Sequence, residues 1–215
     1  MDSTDPDRRV RQIPQEPPER QGASDTAAGA TQSRALGRPM AQSRVIFNGI
    51  QVEFARPGDA QALALMARDL IETDLGWTYR GERIGSFIAD AESVALIARE
   101  TDGTIDGFAI MKFGDERAHL VLLAVQPKRR RRGIARRLLT WLVESARTAG
   151  VMSIHVELRA GNRPAHRLYR TLDFVETFHI PRYYQGRETA VRMIRMLRAP
   201  NIVAEPWRPP TLDKR

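Results

Sequence analysis

The stretch that most constrains this chain lies near its middle. There the apolar run Leu120–Val125 passes through the segment "QPKRRRRG" and directly into a helical pattern. A short, continuous apolar run followed by turn residues reads as a buried strand. Ile134, Leu138, Leu142 and Ala146 then recur at spacings of four, the apolar face of an amphipathic helix, and Gly150 marks its end. A helix entered from a strand through such a turn leaves its first backbone N–H groups unpaired, at the positive end of the helix dipole. That is a phosphate-binding arrangement. Gly133 lets the main chain approach a ligand with no Cβ in the way, and Ala135 is nearly as small.

Charge bears on the same junction. The net charge is +8, and residues 1–40 hold six acids and six arginines, so the excess belongs to the remainder. Its densest part is Lys128 to Arg137, with seven basic residues in ten positions. A basic run read alone is a solvated surface; beside a helix N-terminus it also draws in a polyanion. Nucleic acid is not the expected partner, because the run lacks interleaved aromatics on which bases could stack. The chain has no cysteine, which removes disulfides, thiolate metal sites and a cysteine nucleophile, and fits a reducing compartment. No metal is expected. No run of about eighteen apolar residues occurs, so no transmembrane helix is expected. The first twenty residues have no apolar stretch, so a signal or presequence is not expected there. A cytoplasmic protein with no membrane contact is the expectation.

Along the chain, residues 1–43 are rich in Pro, Gln, Ser, Gly and Arg without apolar periodicity, and are expected to be a disordered tail. Met40 stands just before the first strand-like sequence and is a candidate start; a native mass that includes Asp2 to Pro39 excludes it. A domain is expected over 44–198, and an extended tail over 199–215, Pro-rich and carrying Trp207. Within the domain, a strand ending at Arg56 leads to Asp59 as helix N-cap and a helix from about Ala60 to Thr73. A second helix is expected over Arg80–Ala89, then three strands, "SVALIARET", "IDGFAIMKFG" and "AHLVLLAV". After the long helix come the strand "MSIHVELR", a short helix capped by Asn162, and two strands around Phe174–Phe178 and Thr189–Leu197. The loop "IPRYYQGRE" separates those two.

The phosphate turn resembles the acetyl-CoA pyrophosphate loop of the GNAT superfamily of N-acetyltransferases. That loop reads Arg or Gln, two residues, Gly, one residue, then Gly or Ala; here Arg130, Gly133 and Ala135 fit, after Val125 and Pro127. The segment "VELRAGNRPAHRLYRTLDF" is similar to the strand and helix that follow it in the family, through Asn162, Ala165, Leu168, Tyr169 and Phe174. Three residues depart from the pattern, Ala135 among them in place of the more common second glycine. Arg131 and Asp173 stand where glycine is usual; a left-handed turn at the helix end would explain the second. The resemblance implies an α/β fold, a mixed and mostly antiparallel sheet flanked by helices. It implies acetyl-CoA as co-substrate, held by Leu123, Val125, Arg130, Arg131, Arg132, Gly133, Ile134, Ala135, Arg136, Asn162 and Tyr169.

The chemistry then needs a base and an acid. An ammonium cannot attack a thioester; at pH 7 an α-amine of pKa ~8 is about a tenth neutral, and a lysine of pKa ~10.4 far less. A carboxylate can take the proton, and a tyrosine hydroxyl can assist the departing thiolate. On the strand "MSIHVELR", Ser153, His155 and Glu157 share one face, opposite Ile154, Val156 and Leu158. Resemblance to the ribosomal-protein-alanine N-acetyltransferases makes Glu157 the base and Tyr169 the acid. His119, Glu116 and His155 rank behind Glu157 as bases. The segment "PRYYQGRETAVRMIRML" is similar to protein N-terminal acetyltransferases, with Thr189 in place of the usual Asp. There Tyr183 and Tyr184 would hold a peptide, with Trp77 and Tyr79 as the facing wall. The acceptor is an amine, a protein N-terminus first, with small amines and lysine as alternatives. A silent acetyl-CoA sensor, or a nucleic-acid-binding module using Lys128–Arg137, is a further reading. The assembly is expected to be a monomer or homodimer.

Overall fold

The structure is a computed structural model, and it describes residues 45–47 and 50–198. The two tails expected from composition, including Met40 and Trp207, lie outside the described residues.

The elements run β1 (Val45–Phe47), β2 (Ile50–Phe54), α1 (Ala60–Leu70), α2 (Gly81–Ala89), β3 (Ser93–Arg99), β4 (Ile105–Phe113) and β5 (Arg117–Val125). They continue with α3 (Ile134–Thr148), β6 (Ser153–Arg159), α4 (Arg163–Arg170), β7 (Val175–Tyr184) and β8 (Glu188–Met196). The described strands form one sheet in the order β1-β2-β3-β4-β5-β6-β8-β7. Every neighbour is antiparallel except β5 and β6, which run parallel. This is the mixed, mostly antiparallel α/β architecture expected.

Alternation along the strands builds two cores. Leu63, Met66 and Ala67 of α1 and Ile84 of α2 pack on Ala95, Ile97, Phe108 and Ile110. On the other face, Leu138, Leu139, Leu142 and Val143 of α3 pack on Leu96, Ala98, Ala109 and Met111, with Tyr169 of α4 in the same cluster. The sheet thus separates an α1/α2 layer from an α3/α4 layer.

One residue breaks the alternation, and it matters. Met111 pairs with Leu120 but Ile110 pairs with Leu122, so Val121 is an extra residue in β5. Before the bulge, Ala118 and Leu120 face α3; after it, Leu122 and Ala124 face α1. The upper half of β5 is therefore turned over relative to the lower half.

Local departures from the sequence reading have physical causes. Asp59 stands at the N-cap position of α1 without capping it. Its Oδ2 instead accepts the Arg56 N–H (2.8 Å), and its Oδ1 pairs with Arg99 (2.6 Å), closing a 3-10 turn at Pro57–Asp59. Helix α1 ends at Leu70 and not Thr73. The first strand is a hairpin, β1–β2, and β2 ends at Phe54. The tyrosines assigned to a loop lie on β7, which runs to Tyr184 through an irregularity that includes Arg182 at φ +57°. Asn162 does cap α4, accepting the Ala165 N–H (3.2 Å), and Asp173 does adopt a left-handed φ of +59°.

Gly107 on β4 is required by close approach. A Cβ there would lie 2.9 Å from Ala124 O and 3.1 Å from side-chain carbons of both Ile134 and Val125. Gly107→Ala is expected to cost about 1–3 kcal/mol by overpacking. A calorimetric Tm lowered by roughly 2–10 °C checks this; an unchanged Tm contradicts the packing described.

Candidate active site

The site begins where the sheet opens. β5 and β6 pair only over Arg117↔Ser153, Ala118↔Ile154 and His119↔His155, after which the two parallel strands diverge. The Val121 bulge sits at the point of divergence. The Gln126 N–H bonds Asp106 O (2.8 Å) on the β4 side. By the alternation of backbone groups, the N–H groups of Leu123 and Val125 point the other way, into the gap. Their side chains face the α3 layer.

Beyond Val125 the chain turns into α3 through the segment expected to bind phosphate. Arg131 (φ +65°) and Gly133 (φ +78°) are both left-handed, and Gly133 is the N-cap of α3. The first backbone bond of the helix runs from the Arg137 N–H to Gly133 O (3.1 Å). The amides of Arg131 to Arg136 find no acceptor among the described residues. Such a row of convergent N–H groups is an anion cradle. The Ile134 side chain is buried in the core, so its contribution to a ligand is its amide. Arg130, Arg131, Arg132 and Arg136 are exposed around the turn, and Arg130 Nε also caps Val125 O at 3.3 Å. The donor set fits a diphosphate. Asn162 turns its side-chain oxygen to the α4 cap, where it accepts the Ala165 N–H.

The two sides of the gap carry different chemistry. Tyr169 lies in the α3/α4 layer, 5% exposed, with its ring 5.4 Å from Phe174. Its hydroxyl has no hydrogen-bond partner among the described residues, and burial pushes its pKa well up. The phenol therefore stays protonated and free to donate.

Glu157 faces the α1/α2 layer. Its side chain is 7% exposed, with Oε1 accepting Arg192 Nε (2.6 Å) and Oε2 lying 3.1 Å from His119 Nε2. Burial favours the neutral acid, but the hydrogen bonds and charges of His119 and Arg192 outweigh it and hold the carboxyl below its usual range. His119 is half exposed, so the dyad opens to solvent on the imidazole side. His155, paired across from His119, bonds Ser153 Oγ (3.0 Å); burial, with Arg117 nearby, lowers its pKa. Glu116 gives its carbonyl to the Met152 N–H (2.8 Å) at the start of β6.

Three of the four expected acceptor residues gather near this dyad. Burial raises the phenols of Tyr79, Tyr183 and Tyr184, and the Glu157 carboxylate raises each further. Tyr183 and Tyr184 stack edge to face at 5.0 Å. The Trp77 ring is flanked by Arg68 (5.4 Å) and Arg80 (5.7 Å), and its Nε1 donates to Tyr79 O (3.2 Å). Residues not foreseen hold the walls. Glu72, 3% exposed, accepts the N–H groups of Thr78 (2.7 Å) and Tyr79 (3.0 Å). Arg159 on β6 bonds Thr73 O and Glu188 Oε2 (3.1 Å) and lies over the Tyr184 ring at 5.5 Å, tying the α1–α2 connection to the β7–β8 hairpin. Only the strand register brings Arg192 opposite Glu157.

Residues 64–174, just over half of the chain, match the Acetyltransferase (GNAT) family. The chain belongs to that family. This GNAT chain is 38% identical over 95 residues to the ribosomal-protein-bS18-alanine N-acetyltransferase of Salmonella typhimurium; the match covers 43% of this chain and 64% of that relative. The chain thus spans a little under two thirds of that relative's length. The fold of this GNAT chain matches the ribosomal-protein-S18-alanine N-acetyltransferase from Escherichia coli with a TM-score of 0.62 at 24% identity, over 72% of this chain and 97% of that one. Arabidopsis thaliana NAA60, solved in complex with acetyl-CoA, matches with a TM-score of 0.62 at 19% identity, over 69% and 98% of the two chains. Among the described residues of this GNAT chain, no helix is long and apolar enough to cross a membrane.

Proposed function

We propose that this chain transfers an acetyl group from acetyl-CoA to a primary amine, with a protein N-terminal α-amine as the first acceptor to test. The observation that carries the reading is the opening between β5 and β6. It joins the free amides of the phosphate turn and Tyr169 on one face of the sheet to the Glu157–His119 dyad on the other. Co-substrate and acceptor can meet through that opening and nowhere need to share a layer. The family membership and the names of the relatives support the same chemistry.

Acetyl-CoA supplies an activated thioester. The chain's own residues supply the rest. The amides of Arg131 to Arg136 bind the diphosphate, while the Leu123 and Val125 N–H groups, projecting into the gap, are placed to stabilise charge developing on the acyl oxygen. Glu157 takes the proton of the bound amine directly or by way of His119, whose ring it orients. Tyr183, Tyr184 and Tyr79 position the acceptor. Tyr169 donates a hydrogen bond to the departing sulfur. Its raised pKa makes outright proton transfer to a thiolate unfavourable, so its part is stabilisation.

A thiol-release assay tests this with acetyl-CoA and three acceptors: a peptide beginning with Ala, a blocked peptide carrying one Lys, and a polyamine. Release favoured by the free N-terminus supports the acceptor assignment. Release favoured by the polyamine or lysine keeps the transfer reaction and replaces the acceptor; no release with any of them removes the reading. Tyr169→Phe is expected to lower kcat by about 10-fold with unchanged acetyl-CoA affinity, since one hydrogen bond to a charged group is lost. The fold should not suffer, because that hydroxyl bonds nothing else among the described residues. An unaltered kcat would remove Tyr169 from the mechanism.

A further inference from the structure

We propose that Arg129 is an internal brace for the phosphate turn, anchored from beneath by Asp106 and Glu100, and not itself a phosphate ligand. The proposal rests on the reading of that turn as the acetyl-CoA site. Among the consecutive arginines 129–132, Arg129 is the half-buried one; the other three are exposed. Its Nη1 lies 2.8 Å from Glu100 Oε1 at the end of β3, and its Nε lies 3.2 Å from Asp106 Oδ1 at the start of β4. Glu100 also reaches Arg132, at 3.8 Å.

Asp106 is the unusual member. Its side chain is 1% exposed, and neither carboxylate oxygen finds an aligned hydrogen bond among the described residues. A buried carboxylate costs several kcal/mol unless well paired, and burial duly pushes its carboxyl up despite Arg129. Nothing in the surrounding core calls for a charge. The neighbouring backbone does connect it to the turn. Asp106 O accepts the Gln126 N–H, and the next residue, Gly107, packs against Ala124, Val125 and Ile134 at both ends of the turn. Seven basic residues between Lys128 and Arg137 repel one another. Two carboxylates on the inner side offset part of that repulsion and fix where the turn leaves the sheet.

The sign of the effect on binding separates a brace from a ligand. Were Arg129 a phosphate ligand, Asp106 and Glu100 would compete with phosphate for it, and removing either would strengthen binding. For a brace, removing either weakens binding. The test uses the full chain and its Asp106→Asn, Glu100→Gln and Arg129→Met variants, with the Asp106→Asn/Arg129→Met double. Acetyl-CoA binding is measured by calorimetry, and amide exchange without ligand. Each single change is expected to raise Kd about 5-fold or more, with the double no weaker than Arg129→Met, and kcat at saturation within about twofold of wild type. Exchange at Gln126, whose amide bonds Asp106 O, and at Arg129 and Arg130, whose amides are bonded within the turn, should quicken in Asp106→Asn with no ligand present. Should Asp106→Asn fail to fold, Glu100→Gln on the outer side of the pair gives the same readouts. Equal or tighter binding in Asp106→Asn or Glu100→Gln overturns the brace, as does unchanged exchange in both. Because exchange needs no ligand, failure of the brace stays distinct from a wild type that takes up no acetyl-CoA.

Discussion

Glu157→Gln is expected to lower kcat by at least about 100-fold while leaving acetyl-CoA affinity within about twofold of wild type. The amide keeps the volume of the side chain and can still accept the Arg192 Nε–H, so the cross-strand contact between β6 and β8 survives. What disappears is the negative charge that orients His119 and receives the proton. The loss should appear in single-turnover rates, and not in binding, because Glu157 lies on the face of the sheet away from the phosphate turn. Turnover unchanged in this variant would remove Glu157 from the proton path.

The pH dependence follows from the same contacts. Burial, opposed by His119 and Arg192, leaves the Glu157 carboxyl below its ordinary value. It therefore stays ionised at and above the ordinary carboxyl range, so a fall in kcat/KM on acidification that belongs to Glu157 is expected only below that range. For stability the sign is fixed: a folded value below the unfolded one contributes stability above the ordinary carboxyl range, lost as pH falls through the folded value. Glu157→Gln should accordingly narrow its Tm difference from wild type as the pH is lowered from 7 towards 3, roughly across the carboxyl range.

Gly133→Val carries the second large effect, an increase in acetyl-CoA Kd of about 100-fold. A φ of +78° is open to glycine and strained by about 1–2 kcal/mol for an L residue, more for a branched one. On the protein side there is room: an added Cβ would meet only Arg137 Nε, at 3.8 Å. Relief of strain must then come from moving the turn, which withdraws amides that donate to charged oxygens, each worth roughly 1.5–3 kcal/mol. The signature is lost binding with a modest fall in Tm. Full affinity with the wild-type Tm would mean that the turn does not hold the ligand.

Much of this site was legible because its signals are local. The strand, the arginine-rich turn, Gly133 and the following amphipathic helix are consecutive in the chain, as are Glu157 and the Asn162 cap. The bulge was not legible. Leu120–Val125 is apolar throughout, so no alternation could reveal that Val121 turns the upper strand over. Nor could local pattern bring His119 and Arg192 to Glu157, since both contacts arise from strand register, one parallel and one antiparallel. Tyr183 and Tyr184 read as a loop in the sequence but lie on β7, where Pro181 and the left-handed Arg182 interrupt the strand without ending it. The local contacts of Trp77 and Tyr79 are equally invisible in sequence. The buried Glu72 fixes the Tyr79 amide, and two arginines flank the indole.

Isothermal titration of the full chain with acetyl-CoA asks the decisive question directly, whether the unpaired amides preceding α3 hold a diphosphate. Saturable one-to-one uptake is expected, weakened about 100-fold in Gly133→Val and preserved in Glu157→Gln. Folded wild-type protein that takes up no acetyl-CoA would contradict that role for the amides.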